Sequence, residues 1–347
     1  MSLPTLTFQR VELQLRDPWQ LARTRKAQVC TVIIVRLQFE DGITGLGEAA
    51  PVARYNESCE SVESFLNRLD LSGLTLKDPD ASLERIASLK GSPAAKCAIS
   101  TALLDAVGKV RGKPLYTLLD LPFENGRYRT SFTLGIDNET KIRAKTRAAE
   151  PFPVLKMKVG TAADKQHFQA LRSVAPNKPV RLDANEGWSD KEHALAMIEY
   201  FAGMDNIQFV EQPLPATAPI QDWVWLKQRS PLPIFGDESY HTAADAERAA
   251  ECFDGVNVKL AKTGGVAEAL AALRAAKRLG LKTMLGCMIE TSVAISAAAH
   301  LAELCDYLDL DGNLLITNDP FVGVTADKGV LSFADAPEPY GIRVSPR

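Results

Sequence analysis

Histidine is scarce in this chain and cysteine is scattered. The four histidines (His167, His193, His241, His300) form no HExxH pattern, which excludes the commonest zinc-hydrolase arrangement. The six cysteines (Cys30, Cys59, Cys97, Cys252, Cys287, Cys305) include no CxxC pair and no regular spacing. That excludes a disulfide framework and a zinc knuckle, and predicts reduced, mostly buried thiols. Positive charge is not concentrated either. Forty Lys and Arg against 43 Asp and Glu leave a formal charge of -3, and no basic run could hold a nucleic-acid backbone alone. The longest weakly polar stretch, 292–304, is too short to span a bilayer and carries His300. The opening residues Met1 to Thr5 lack a basic segment leading into an apolar one. A cytoplasmic protein without nucleic-acid or membrane partners is expected, with room left for a homo-oligomer.

What is present points to a globular enzyme. A chain of 347 residues, 46% hydrophobic and 24% charged, can bury the core of one large domain plus a smaller one. Val32 to Phe39 reads as a strand, Asp41-Gly42 as a hairpin turn and Ile43 to Ala49 as the returning strand. Gly42, Gly45 and Gly47 thus need no nucleotide to explain them. Residues 58 to 119 show helical periodicity, broken at Gly73, Pro79, Gly91-Ser92-Pro93 and Gly112-Lys113-Pro114. An α+β unit over residues 1–122 follows.

After Pro122 short apolar strands alternate with helical stretches. Strands are expected near 130–135, 154–159, 180–185, 207–212, 233–238, 256–261, 282–288 and 307–311. Their centres recur at roughly 22 to 27 residues, the length of a strand, a helix and two loops. Eight such units predict a TIM-like (β/α) barrel over 123–319, with a tail, 320–347, that returns to the first unit.

Polar residues fall in a definite phase on these strands. Leu155, Met157 and Val159 point one way while Lys156 and Lys158 point the other, into the barrel, where lysine is a poor packing choice. In the same way Leu182 and Ala184 oppose Asp183, Val258 and Leu260 oppose Lys259, and Leu308 and Leu310 oppose Asp309 and Asp311. Asp183, Glu211 and Asp237 thereby converge on the barrel mouth, where active sites of this architecture lie. Three neighbouring carboxylates repel unless a cation neutralises them, and an all-oxygen set favours a hard ion such as magnesium. Singly, each has a plainer reading. Asp237-Glu238-Ser239 also fits a cap for the next helix, Asp309 and Asp311 fit a turn before Gly312, and Lys262 reads equally as a solvated lysine.

Five segments, taken together, resemble the muconate-lactonizing subgroup of the enolase superfamily. Val154 to Val159 is similar to its KxK strand. The stretches from Leu182 to Trp188, Val210 to Pro213 and Gly236 to Ser239 resemble its three metal-ligand strands, and Asn257 to Gly265 its second lysine motif. Tyr307 to Gly312 resembles the DxD motif of the dipeptide epimerases, as does Leu285 to Ser292 on the seventh strand.

The resemblance implies a modified (β/α)7β barrel under an α+β capping domain and a metal-dependent isomerase working by 1,1-proton transfer. Lys158 and Lys259 become the acid and base on opposite faces of the α-carbon, with Lys156 in support. Asp183, Glu211 and Asp237 become ligands of one Mg2+, with Mn2+ as the substitute, oriented by Asn185 and Glu238 beside them. Asp309 and Asp311 hold the ammonium group of a dipeptide substrate. Arg54 to Ser58, with Tyr55, forms a capping loop, and a basic segment, Ala22 to Lys26, supplies Arg25 for an acidic side chain. The implied reaction is interconversion of L-Ala-D-Glu and L-Ala-L-Glu in murein peptide recycling. Epimerisation of hydrophobic or cationic dipeptides stays open because Ser292 stands where some relatives carry a lysine. Succinylbenzoate synthesis or muconate-type cycloisomerisation fits the Asp309/Asp311 pair less well. A silent binding barrel would be expected to have lost a lysine or a ligand, and none is lost.

Overall fold

A computed structural model describes residues 3–40 and 42–347. The capping unit opens with a three-stranded antiparallel sheet of β1 (Thr5–Trp19), β2 (Ala27–Gln38) and β3 (Thr44–Ala49). The two expected strands are there. β1 is an addition: its polar residues Gln9, Arg10, Glu12, Gln14 and Arg16 hide the alternation that buries Leu13 and Leu15. Asp41, half of the expected turn, lies outside the described residues, but its flanks close as a hairpin, with Gly42 N donating to Phe39 O at 3.0 Å.

Three helices cover this sheet, α1 (Cys59–Asn67), α2 (Pro79–Ser88) and α3 (Pro93–Arg111). The expected breakers act as start and stop signals. Pro79 and Pro93 are first helical residues, Asp78 and Ser92 accept the N-cap hydrogen bonds, and Gly112 ends α3 at φ 61.

Gly45 and Gly47 have a packing cause. A Cβ on either would stand 1.8 Å from a carbonyl oxygen of α3, that of Ala102 or Ala98. The Gly47→Ala variant should therefore lose about 1–3 kcal/mol, typical of overpacking a rigid core. Calorimetry would read a melting temperature several degrees lower, and an unchanged one would remove this explanation.

The second unit is a parallel barrel of β4 (Phe132–Leu134), β5 (Leu155–Lys158), β6 (Val180–Asp183), β7 (Ile207–Glu211), β8 (Ile234–Gly236), β9 (Gly255–Lys259), β10 (Lys282–Gly286) and β11 (Tyr307–Asp309). Neighbours in sequence are neighbours in the sheet, and a parallel bridge between Thr130 and Leu308 joins the two edges. Every strand stops one or two residues before its expected end, because the chain there leaves the ladder to build the mouth. Asn185 (φ 43) and Gln212 (φ 40) turn left-handed at those points. Among the described residues no α-helix follows β11, as a (β/α)7β barrel requires.

The lower half of the barrel is filled. Phe209 and Phe235 stack at 4.1 Å, and the guanidinium of Arg181 lies 5.0 Å from the ring centroid of Tyr307 while donating to Leu308 O at 2.6 Å. Beyond Pro320 the tail pairs Phe321–Val322 with Ser345–Pro346 and reaches α3, where Ile342 N donates to Asp105 Oδ1 at 2.9 Å. All six cysteines are free; Cys97 and Cys252 are buried and the other four residues are partly buried. No described helix is long and apolar enough to cross a membrane.

Candidate active site

Strand register assembles the site. Lys158 on β5 pairs with Asp183 on β6, and Asp183 with Glu211 on β7, so three inward side chains share one layer. β8 ends at Gly236, which puts Asp237 at the head of the next loop. Oxygens of Asp183, Glu211 and Asp237 lie within 4.8 Å of one another, and all three residues are fully buried. Asp237 does not cap a helix; its carboxylate faces Lys259 Nζ at 2.9 Å and pairs with Lys262.

Four lysines neutralise the carboxylates. Lys156 Nζ sits 2.7 Å from both Glu211 and Asp309 and 3.0 Å from Asp183. Lys158 Nζ is 2.6 Å from Asp183 Oδ2. Lys262 is buried rather than solvated, and donates to the backbone oxygens of Asp237 at 2.5 Å and Asn257 at 3.0 Å. Burial disfavours the Lys156 ammonium, but Asp183, Asp309 and Glu211 outweigh it and hold its pKa well above the usual value. At Lys259 burial likewise lowers the pKa, but the charge of Asp237 outweighs it and raises the pKa above the usual value. At Lys262 burial prevails and lowers the pKa. Burial followed by repulsion from Asp183 pushes Glu211 up to about 7.

The donor set suits a hard divalent cation. It is all oxygen, and Glu211 Oε2 and Glu238 Oε2 are buried without an aligned hydrogen bond. Asn185 and Glu238 touch each other beside the three carboxylates, with Asn185 Nδ2 donating at 3.2 Å, while Asn185 N donates to Asp183 Oδ1 at 3.0 Å. Two further residues bear on the triad. Asn257 Nδ2 donates to Glu211 Oε1 at 2.7 Å, and Gln212 Oε1 accepts from Asp237 N at 2.8 Å. Asn257 carried a readable signal, since it lies in the inward phase of Lys259 two residues on. Gln212 carried none, because its orientation follows from a left-handed backbone.

Across the mouth, Ser131 Oγ donates to Asp309 Oδ1 at 2.7 Å, and Thr133 N donates to Asp311 Oδ2 at 2.6 Å. Burial and then the charge of Asp309 push Asp311 up to about 7, so this corner favours an added positive group. A cavity of about 550 Å³ joins Lys156, Lys158, Lys259, Asp309 and Asp311 to the capping unit.

The capping unit contributes Tyr55 and the loop before β2. Tyr55 lines the cavity and meets the His241 ring edge-on at 5.3 Å. Arg25 also lines it, exposed and without an ionic partner among the described residues. The neighbouring Arg23, not singled out from sequence, reaches further: its Nη1 is 2.7 Å from Glu238 Oε1 and 2.9 Å from Asn185 O.

In a closed eight-stranded barrel, strands four apart face each other across the axis. β5 with Lys158 therefore faces β9 with Lys259. β7, the centre of the carboxylate arc, faces β11 with Asp309. The site is thus a cross, with the carboxylate triad and the Asp309/Asp311 pair at the ends of one arm and a lysine at each end of the other.

Comparisons with known proteins agree with this geometry. Residues 4–120 match the N-terminal domain of the mandelate racemase / muconate lactonizing enzyme family, and residues 139–322 match the enolase C-terminal domain-like family. An L-Ala-D/L-amino acid epimerase of Pedosphaera parvula is 56% identical over 98% of this chain and 99% of its own. The substrate-liganded L-Ala-D/L-Glu epimerase of Bacillus subtilis superposes with a TM-score of 0.90 at 29% identity, covering 99% of this chain and 98% of that one. A dipeptide epimerase of Enterococcus faecalis complexed with Mg and L-Leu-L-Tyr does so with 0.89 at 29% identity, covering 99% and 100%. With both of its parts matched and a relative of this identity spanning nearly its whole length, the chain belongs to the enolase superfamily, on the dipeptide-epimerase branch of its mandelate racemase / muconate lactonizing enzyme group.

Proposed function

We propose that this protein epimerises dipeptides at the α-carbon of the C-terminal residue, with L-Ala-D-Glu and L-Ala-L-Glu as the main pair, as murein peptide recycling requires. The observation that carries the reading is the cross of strands, β5 against β9 and β7 against β11. A dipeptide lying along the second arm points its carboxylate at the triad and its ammonium at Asp309 and Asp311. Its α-carbon then lies between the two lysines.

Asp183, Glu211 and Asp237 would hold a divalent cation, magnesium or manganese, which neutralises the carboxylates now paired with the lysines and supplies positive charge beside the substrate carboxylate. The ammonium of Lys156 donates to that carboxylate from below. Lys158 or Lys259, in its neutral form, takes the α-proton from its own face, and the other, as an ammonium, returns one to the opposite face. Exchanging these roles runs the reaction backwards. Asp309 and Asp311 fix the ammonium, and Tyr55 with the capping loops keeps water from the carbanionic centre. Two carboxylates at that end of the arm would repel the acidic, ammonium-free substrates of cycloisomerases.

Arg25, unpaired on the cavity wall, supplies the charge for a glutamate side chain. A broader specificity is the second reading. It is favoured by the name of the Pedosphaera relative and by the apolar wall of Trp19, Leu21, Val32, Val52, Met288 and Ile289. A mass-spectrometric screen of L,L-dipeptides in deuterated water with added magnesium separates the two. Label entering Ala-Glu ahead of all others supports the first, equal labelling of Ala-Leu or Ala-Phe the second, and labelling of none overturns both.

A further inference from the structure

The loop after β6 does more than end a strand. Asn185 and Glu186 are consecutive left-handed residues, φ 43 and φ 68, a conformation Glu rarely adopts. The turn is over-determined by Asn185 N to Asp183 Oδ1 at 3.0 Å, Glu186 N to Gln212 O at 2.8 Å and Gly187 N to Ala184 O at 2.8 Å. Gly187 is packed so closely on Gly160 that a Cβ there would lie 2.5 Å from the Gly160 Cα.

What the strained turn achieves is the placing of the Glu186 carboxylate. Arg54 grips it with both arms of its fork, Nε to Oε2 at 2.5 Å and Nη2 to Oε1 at 2.6 Å. Ala216 N, in the loop after β7, donates to Oε1 at 2.8 Å. Arg23 Nη1 stands 3.8 Å from Oε2 while it holds Glu238 and Asn185 O. One side chain, three residues beyond Asp183, thus meets both stretches of the capping unit that wall the cavity, 20–26 and 53–56. The arginines are a quarter to a third exposed, whereas the Glu186 side chain is 9% exposed. The anchor is therefore on the barrel and the movable arms are on the cap.

We propose that Glu186 is a positioning residue that latches both capping loops to the barrel mouth, so that one carboxylate closes the cavity over the substrate and ties that closure to the turn holding Asp183. This rests on the proposed epimerase reading for its kinetic consequence, though not for its structural one. Opening the latch should weaken retention of substrate and leave the proton transfers, once substrate is enclosed, little changed.

The test uses the full-length, magnesium-loaded protein and its Glu186→Gln and Arg54→Lys variants. Hydrogen exchange read by mass spectrometry should rise about tenfold or more in 53–56 for Glu186→Gln, the scale of a lost charged hydrogen bond, and by a smaller factor in 20–26, where Arg23 loses a 3.8 Å ion pair and keeps Glu238. It should rise in 53–56 alone for Arg54→Lys, which keeps the charge and loses the fork. For whichever dipeptide the wild type turns over, KM should rise about tenfold in Glu186→Gln with kcat within a few-fold. Unchanged exchange in both loops overturns the latch. So does a loss of kcat and melting temperature together at constant KM, which is what a merely structural residue would give. Exchange is read without turnover, so a wild type inert towards every dipeptide would refute the epimerase reading and still leave the latch decided.

Discussion

Lys158→Ala and Lys259→Ala should each lower epimerisation by about a thousandfold or more, the scale of a lost general acid or base, while leaving α-proton exchange of one epimer alive. Inversion needs a proton removed on one face and delivered on the other; exchange with solvent needs one lysine. β5 and β9 face each other across the barrel axis, so each single variant keeps a base on one face. In deuterated water one variant should label only the L-epimer of the substrate and the other only the D-epimer, each with retention. Proton NMR of the α-position with each pure epimer distinguishes these cases. Full epimerisation in either variant, or identical labelling of both epimers by one variant, would refute the two-face assignment. Both residues are 7% exposed at the edge of a cavity, so shortening them leaves room for water rather than a sealed void, and the fold should persist.

Much of this site was legible because a barrel strand has a strict two-residue period. Lysine and carboxylate in the inward phase at strand ends cannot be satisfied by packing alone, and that contradiction marked Lys156, Lys158, Asp183, Glu211 and Lys259. Asp309 and Asp311, which a turn before Gly312 explains as well, were legible only through the resemblance to the DxD motif. The eight strands were legible for the same reason, as apolar runs spaced by one helix each. What escaped belongs to loops and to long-range approach. β1 escaped because its exposed polar residues mask the alternation. Arg23 and Arg25 are two residues apart in a segment without periodicity, and only the path of the chain from Trp19 to Ala27 decides which one reaches Glu238. Glu186 and Gln212 escaped because their positions depend on positive φ values, and neither residue type advertises that conformation. Lys262 was undecidable on spacing, being three residues past Lys259; a short helix, Leu260–Thr263, turns it back beneath Asp237.

Chelation of the divalent cation should abolish turnover and leave the fold in place. Three buried carboxylates stripped of a cation would ordinarily destabilise a barrel severely. Here Asp183 keeps Lys156 and Lys158, Glu211 keeps Lys156 and Asn257, and Asp237 keeps Lys259 and Lys262. These pairs hold Asp183 and Asp237 below the usual carboxylate range even though burial opposes it. The same pairing occupies both lysines to which the proposed mechanism gives the proton transfers, so the cation-free protein should be stable and inert together. Stability lost on chelation should equal the linkage of cation binding alone, about 2.7 kcal/mol if the cation had been present at a hundred times its Kd. Far-ultraviolet circular dichroism should be unchanged, the thermal transition should move down by several degrees, and added magnesium should restore activity in full. Glu211→Gln should reproduce the inert, folded state and fail to recover with magnesium, since the neutral amide offers the cation one weak oxygen in place of a carboxylate. Activity that survives exhaustive chelation would remove the cation from the reaction, and collapse of the dichroism signal would show that the lysines do not balance the triad by themselves.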